Sequence, residues 1–343
     1  MKIAVDKKSI NYIDKTKGYE YIYIFDDESI EYLIDIRMKC IEKSHIDNLF
    51  VDVNLTEYDV ECIKKADVKI KGWDDIPDKV NYKIGIIIPN FNYEHTIEKC
   101  ISSILSQTYN NYEIIFVDDM SNDNSIKIVE SFKDDRIKIV KLKQKRYNGG
   151  ARNEAYLHLS DDVDYVYYVD SDDWLYDENV LEKINQRLQN KPDVLFVGLA
   201  DYKNGVLRDN VIIPTYKDKY EAIKGWSGSC GKVIKKSLAT RQGCLYNEGT
   251  LKEDRNQHCK ICIYMKDFRL LKEPIYVWNR DNNKSITTIR DDILWGTSTI
   301  RHYADTLQLY LSVRGDDKEI DSYLEGRVKA TKDEMKNGGD RQW

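Results

Sequence analysis

No stretch of this 343-residue chain is apolar for long enough to cross a bilayer, and the opening Met-Lys-Ile-Ala-Val-Asp turns charged at once. A soluble cytoplasmic protein without a signal peptide is the expectation. A basic excess is also missing. Lys and Arg total 53 against 59 Asp and Glu, a formal net charge of -6, which argues against a broad nucleic-acid footprint. The 5 histidines form no H-x-H or H-E-x-x-H grouping, so a histidine-built metal site has no support. The 7 cysteines are odd in number and scattered, which fits reduced thiols better than a disulfide framework. Cys259 and Cys262 make a lone C-x-x-C in a helical stretch, where packing into the core is the expectation, with neighbouring His258 facing solvent.

With 41% hydrophobic and 33% charged residues, the chain can build one large α/β domain with additions, or two domains. Residues 1 to about 80 read as a small α/β unit, with strands at 21–25, 48–53 and 68–70, helices at 29–41 and 57–65, and a turn-rich linker near 72–78. From Ile84 strands and helices alternate. Strands fall at 84–90, 113–119, 137–142 and 165–169, and helices follow from Ile97, from Ile126 and from Ala151 to Leu159. That rhythm implies right-handed crossovers and a mostly parallel sheet. A helix at 181–188, a strand at 194–197, an irregular stretch at 226–236, a helix at 251–265 and a strand at 270–278 come next. Beyond Ile293 the pattern is helical, with Ile300, Tyr303, Leu307 and Leu311 as one core-facing or partner-facing stripe.

The unusual polar residues gather where strands end. Tyr165 to Val169 runs into Asp170, Asp172 and Asp173. Carboxylates this close repel one another unless a cation or several donors hold them, and an oxygen-only set suits Mg2+ or Mn2+ with substrate phosphates. A polar turn capping the next helix is the plainer alternative. The first strand ends in Pro89-Asn90-Phe91-Asn92-Tyr93, whose rings can cover a flat base. The second ends in Asp118-Asp119, able to accept from an imide N–H such as that of uracil. In Arg146-Tyr-Asn-Gly-Gly-Ala-Arg-Asn153, Gly149 and Gly150 permit close backbone approach, Arg152 has reach for phosphate, and Asn153 has reach for a base or ribose. Singly each has a structural explanation. Together, at successive carboxyl ends of strands, they mark a ligand site. Lys141, Lys143, Lys145 and Arg146 suit an anionic acceptor, the diphosphate, or simply a solvated loop.

Pro89 to Asn92, Val117 to Asp123, Gly149 to Asn153 and Asp170 to Asp173, in that order, resemble the family-2 glycosyltransferases, nucleotide-sugar enzymes of the GT-A fold. Gly231 to Lys236 resembles the family's Gly-Lys segment, Glu253-Asp254 its Glu-Asp pair, and Trp278 to Thr287 its closing segment, so the likeness covers roughly 82–288. Gly-Ser-Cys-Gly before Lys232 departs from the family pattern. The resemblance implies an α/β, GT-A-like sheet flanked by helices over 81–290, with an accessory α/β segment at 1–80 and a helical extension at 291–343. It implies that Pro89, Phe91 and Asp119 hold the uracil of a UDP-sugar and that Arg152 or Asn153 contacts the nucleoside. Asn92, Asp118, Gly150 and Ser171 would line the same nucleotide site. Asp170 would face the ribose or donor sugar, and Asp172 with Asp170 would bind Mn2+ or Mg2+. Asp254 would be the base with Glu253 beside it, and Arg280, Lys284 and Ser285 would sit in a loop closing over the diphosphate.

The expected reaction is inverting transfer to a hydroxyl acceptor, first of all a cell-surface glycan or teichoic-acid-type polymer. A protein or a hydroxymethylated DNA base is open to the same chemistry. A sugar-phosphate nucleotidyltransferase would need a glycine-rich first loop with a basic residue, where this chain has Pro-Asn-Phe-Asn-Tyr. A non-catalytic nucleotide- or glycan-binding module would be marked by loss of Asp172 or Asp254, and both are present. The two extensions are left for accessory or homo-oligomer contacts.

Overall fold

The computed structural model describes residues 2–5, 20–23, 80–189, 191–282 and 292–336. The chain divides into two compact units, Met1–Val80 and Asn81–Trp343. In the first, β1 (Lys2–Val5) and β2 (Glu20–Tyr23) pair in parallel. The remaining elements expected before residue 80 lie outside the described residues.

The second unit is built on one mixed sheet. Its parallel half has the order β5-β4-β3-β6, from β3 (Ile84–Asn90), β4 (Tyr112–Asp118), β5 (Ile137–Lys141) and β6 (Tyr165–Tyr168). Helices α1 (Ile97–Leu105), α2 (Ser125–Ser131) and α3 (Tyr147–Tyr156) make the crossovers, as the alternation implied. Strands β3, β4 and β6 are buried throughout, which is why they read as unbroken apolar runs. Helix α1 sinks Ile97, Cys100, Ile101 and Ile104 against them at helical spacing. Pro89 is tolerated in a central strand because β6 pairs with β3 only as far as Ile87. On that side the Pro89 carbonyl instead accepts the Ser171 hydroxyl at 2.7 Å.

After β6 come β7 (Trp174–Leu175), α4 (Val180–Arg187), β8 (Val194–Lys203), β9 (Val206–Ile212), α5 (Lys219–Lys224), β10 (Lys232–Lys235), α6 (Lys236–Ala239), α7 (Glu253–Tyr264) and β11 (Phe268–Asn279). Strand β10 runs antiparallel between β6 and β8, so the sheet is less parallel than the alternation suggested. The stretch that reads as irregular holds this strand because Lys232, although buried, satisfies its ammonium on the carbonyls of Ser227 and Gly228. Its antiparallel register sets the turn before β10 beside the carboxyl end of β6. Strand β9 folds back on β8 through Asn204-Gly205, both at positive φ, as a two-residue hairpin requires.

Helices α8 (Asp292–Val313) and α9 (Lys318–Lys336) pack on each other, and α8 packs on α7. The buried face of α8 carries Trp295, Thr299, His302, Thr306, Leu309 and Val313. Ile300 and Leu311, placed in the expected apolar stripe, are 55% and 52% exposed. The core-facing alternative therefore fails for these two, because the buried face hides its polar groups in hydrogen bonds, such as Thr306 to Asn256 at 3.1 Å. His258 is also corrected. It is fully buried and meets the Ala222 carbonyl at 2.8 Å, while Cys259 and Cys262 pack in the core as expected.

Candidate active site

The carboxyl ends of β3 and β4 carry a first polar cluster. Asp118 is spent internally, with one oxygen taking the Asn90 amide at 3.0 Å and the other the Ser121 N–H at 2.9 Å. Asn92 accepts from the Asn122 N–H at 2.8 Å. Asp119 draws the next loop in, accepting from the N–H of Arg146 at 2.7 Å and of Tyr147 at 2.8 Å. Lys145 completes the cluster, 3.2 Å from the Asp119 carboxylate and 2.7 Å from the centroid of the Phe91 ring. Burial pulls the Lys145 ammonium below its ordinary range, and Asp119 opposes that. Asn92, Met120 and Tyr147 all stand at positive φ here, a conformation costly for side-chain-bearing residues and common around ligand sites.

A second cluster centres on Arg152, which is 1% exposed. Its guanidinium reaches Asp170 at 2.7 Å, Glu253 at 3.0 Å and Asp254 at 3.2 Å. Burial works against the Arg152 charge, yet the three carboxylates hold its proton well above the usual guanidinium range. Burial and then Asp254 push the Glu253 carboxyl up, with Arg152 pulling the other way. Asp170 and Asp254 are therefore brought together by a single side chain.

Asn153 exchanges hydrogen bonds with the Tyr246 backbone at 2.9 and 3.0 Å and also reaches Glu248. Glu248 grips Arg146 from the other side. A Cβ on Gly150 would stand 2.4 Å from the Arg146 Cβ, and one on Gly149 would stand 2.6 Å from the Asn247 carbonyl oxygen. The glycines thus let α3 lie against the 246–248 segment.

At the end of β6, the Ser171 hydroxyl is held by Pro89. Asp172 accepts the Asn282 amide at 2.8 Å, and burial followed by Asp170 pushes its carboxyl up to about 6. Asp173 is buried, with its oxygens taken by the Tyr276 hydroxyl and the Asn279 N–H, and the same causes raise it further. Arg280 sits 3.5 Å from Asp201 and over the Trp278 ring. Lys284 and Ser285 lie outside the described residues. Ser229, Tyr246 and Asn282 escape sequence reasoning, and Lys145 reads only as one of a basic cluster. Of the first three, only Ser229 carried a signal, through its place in the Gly-Ser-Cys-Gly departure.

The architecture is that of the GT-A glycosyltransferases. The structure of S. aureus TarS 1-349 in complex with UDP-GlcNAc superposes with a TM-score of 0.58 at 17% identity, over 75% of this chain and 72% of that one. Residues 85–244 match the family model described as Glycosyl transferase family 2. The chain is 33% identical over 156 residues to the UDP-Glc:alpha-D-GlcNAc-diphosphoundecaprenol beta-1,3-glucosyltransferase WfgD of Escherichia coli, covering 45% of this chain and 60% of that protein. It is 33% identical over 121 residues to the poly(ribitol-phosphate) beta-N-acetylglucosaminyltransferase TarP of Staphylococcus aureus, covering 33% and 35%. The chain therefore spans 60% or less of the length of these curated relatives.

Proposed function

We propose that this protein transfers a sugar from a UDP-sugar to a hydroxyl of a cell-surface glycan or teichoic-acid-type polymer. The observation that carries the reading is the Arg152 bridge, which ties the Asp170 end of the site to Asp254 across one guanidinium. The activities of WfgD and TarP favour this acceptor class over protein or DNA.

In this reading Phe91 and Asp119 receive uracil once Lys145 leaves the ring face. Asp254, whose side chain is 38% exposed, takes the acceptor proton, worth typically ~10²–10⁴-fold in rate. Attack opposite the leaving diphosphate inverts the anomeric carbon. The bonded groups of Arg152, Asn153 and Glu253 all meet partners inside the protein, so in this reading they shape the site instead of gripping the nucleoside. Asp170 and Asp172 fit a hard divalent cation, since they are adjacent oxygen donors and the burial and repulsion raising Asp172 are relieved by positive charge. Mn2+ or Mg2+ held there would neutralise charge developing on the diphosphate.

A thermal-shift panel of nucleoside diphosphates and UDP-sugars, with and without Mn2+, tests the reading. A true donor at ~100 times its Kd adds about 2.7 kcal/mol of stability. Asp172→Ala is expected to abolish the Mn2+-dependent part. Silence toward every uridine nucleotide would overturn the donor assignment.

A further inference from the structure

Asp254 does not stand alone at the start of α7. Its Oδ1 accepts from Arg152 at 3.2 Å and from the Ser229 hydroxyl at 2.5 Å. Among the described residues nothing donates to Oδ2. Ser229 has one hydroxyl proton, and an ionised carboxylate can only accept, so that proton points at Asp254. The contact between Ser229 and the Tyr246 hydroxyl, 2.7 Å long, must then have Tyr246 as donor. Tyr246 is buried, and burial keeps its proton on well above the usual phenol range.

The turn carrying Ser229 is pinned from several sides. Lys232, at the head of β10, donates to the carbonyls of Ser227 and Gly228 at 2.9 and 2.7 Å. Arg255, the residue after Asp254, holds the Gly225 carbonyl at 2.8 Å. The Trp226 indole lies where Cβ atoms of Gly228 and Gly231 would stand, 2.2 and 2.5 Å from its ring carbons, so only glycine fits at either place. Such anchoring exceeds what a surface turn needs. It fixes one hydroxyl, 2% exposed, against one carboxylate oxygen.

We propose that Ser229 is a positioning residue for the proposed base: through the Tyr246–Ser229–Asp254 chain it locks Oδ1 and turns Oδ2 toward the acceptor hydroxyl. The inference rests on the reading of Asp254 as base. Ser229 donates a hydrogen bond and exchanges no proton with substrate. The acceptor proton goes to Oδ2 as the new glycosidic bond forms and the bond to UDP breaks.

The test uses the full chain, with UDP-glucose and UDP-N-acetylglucosamine as probes, Mn2+ present and water as acceptor. Turnover is read by UDP release and affinity by UDP titration. Loss of one hydrogen bond to a charged group predicts that Ser229→Ala lowers kcat roughly tenfold to a hundredfold, while donor KM and UDP affinity stay within about twofold. Ser229→Thr, which keeps the hydroxyl, is expected to recover most of the loss. Turnover of Ser229→Ala within about twofold of wild type, or a parallel fall in UDP affinity, would overturn the proposal, as would failure of threonine to rescue. Asp254→Asn separates the two levels. If it turns over normally, the base assignment falls and the proposal with it. If it is inactive while Ser229→Ala is unimpaired, the proposal alone falls.

Discussion

Replacing Arg152 by Met removes one cation from among three carboxylates while keeping a long apolar stem in place. Deleting one partner of a buried ion pair ordinarily costs about 3–5 kcal/mol, because the charge left behind has neither water nor a counter-ion. Two features of the site reduce that figure. Glu253 is already pushed toward its neutral form by burial and by Asp254, so it can shed its charge when Arg152 goes. Asp170 and Asp254 are 31% and 38% exposed, so water screens part of their repulsion. A loss of about 2–4 kcal/mol follows, which for a unit of this size lowers Tm by roughly 5–15 °C. Thermal unfolding followed by circular dichroism reads it. The second arm is a double-mutant cycle with Glu253→Gln. Once Glu253 carries no charge there is less for Arg152 to neutralise, so the double variant should be less unstable than the sum, by about 1–3 kcal/mol. A Tm within about 2 °C of wild type, or strict additivity, would refute the view of Arg152 as the electrostatic hub.

The acid limb of stability should depend on His302. Burial first, then Arg327, Lys252 and Arg255, drive its ring down to about 3. The unfolded chain takes that proton near pH ~6.5, so the contribution is present above this value and drains away as pH falls toward the folded value. Between these limits His302→Gln should flatten the dependence of unfolding free energy on pH by up to about 1.4 kcal/mol per unit, read by urea titrations at pH 7.5, 6 and 5. Equal slopes for wild type and variant would contradict it. Gly149→Ala would bring a methyl to 2.6 Å from the Asn247 carbonyl oxygen, with backbone on both sides of the clash. A loss of about 1–3 kcal/mol is expected, together with a fall in UDP-sugar turnover as the 246–254 segment is displaced; unchanged stability would show that α3 can move away at little cost.

How much of this was legible depended on whether a residue's partner lay nearby in the chain. The parallel half of the sheet was readable because its strands are buried on both faces, so β3, β4 and β6 announce themselves by composition alone. The carboxylates at their ends stood out only jointly, since each alone has a structural explanation and it is their recurrence at successive strand ends that marks them. Strand β10 was hidden by its two lysines, and Lys232 makes sense only once the carbonyls of Ser227 and Gly228 are in place around it. The buried face of α8 was hidden likewise, because Thr299, His302 and Thr306 look like surface residues until their hydrogen bonds are drawn. Arg152 and Asn153 show the other side of the problem. Their type and motif were legible, but the residues they face, Asp254 and Tyr246, lie 102 and 93 positions away, and what a charged side chain does is decided by its partner. Local pattern therefore picks out the polar strand ends, while the long-range pairs decide which of their side chains are already engaged within the protein. Asp254 and Phe91 keep exposed surface, whereas Glu253, Asp173 and Asp118 have spent theirs on the protein itself. Within the pairs Glu253–Asp254 and Asp172–Asp173, one carboxylate is buried and its neighbour is half-buried.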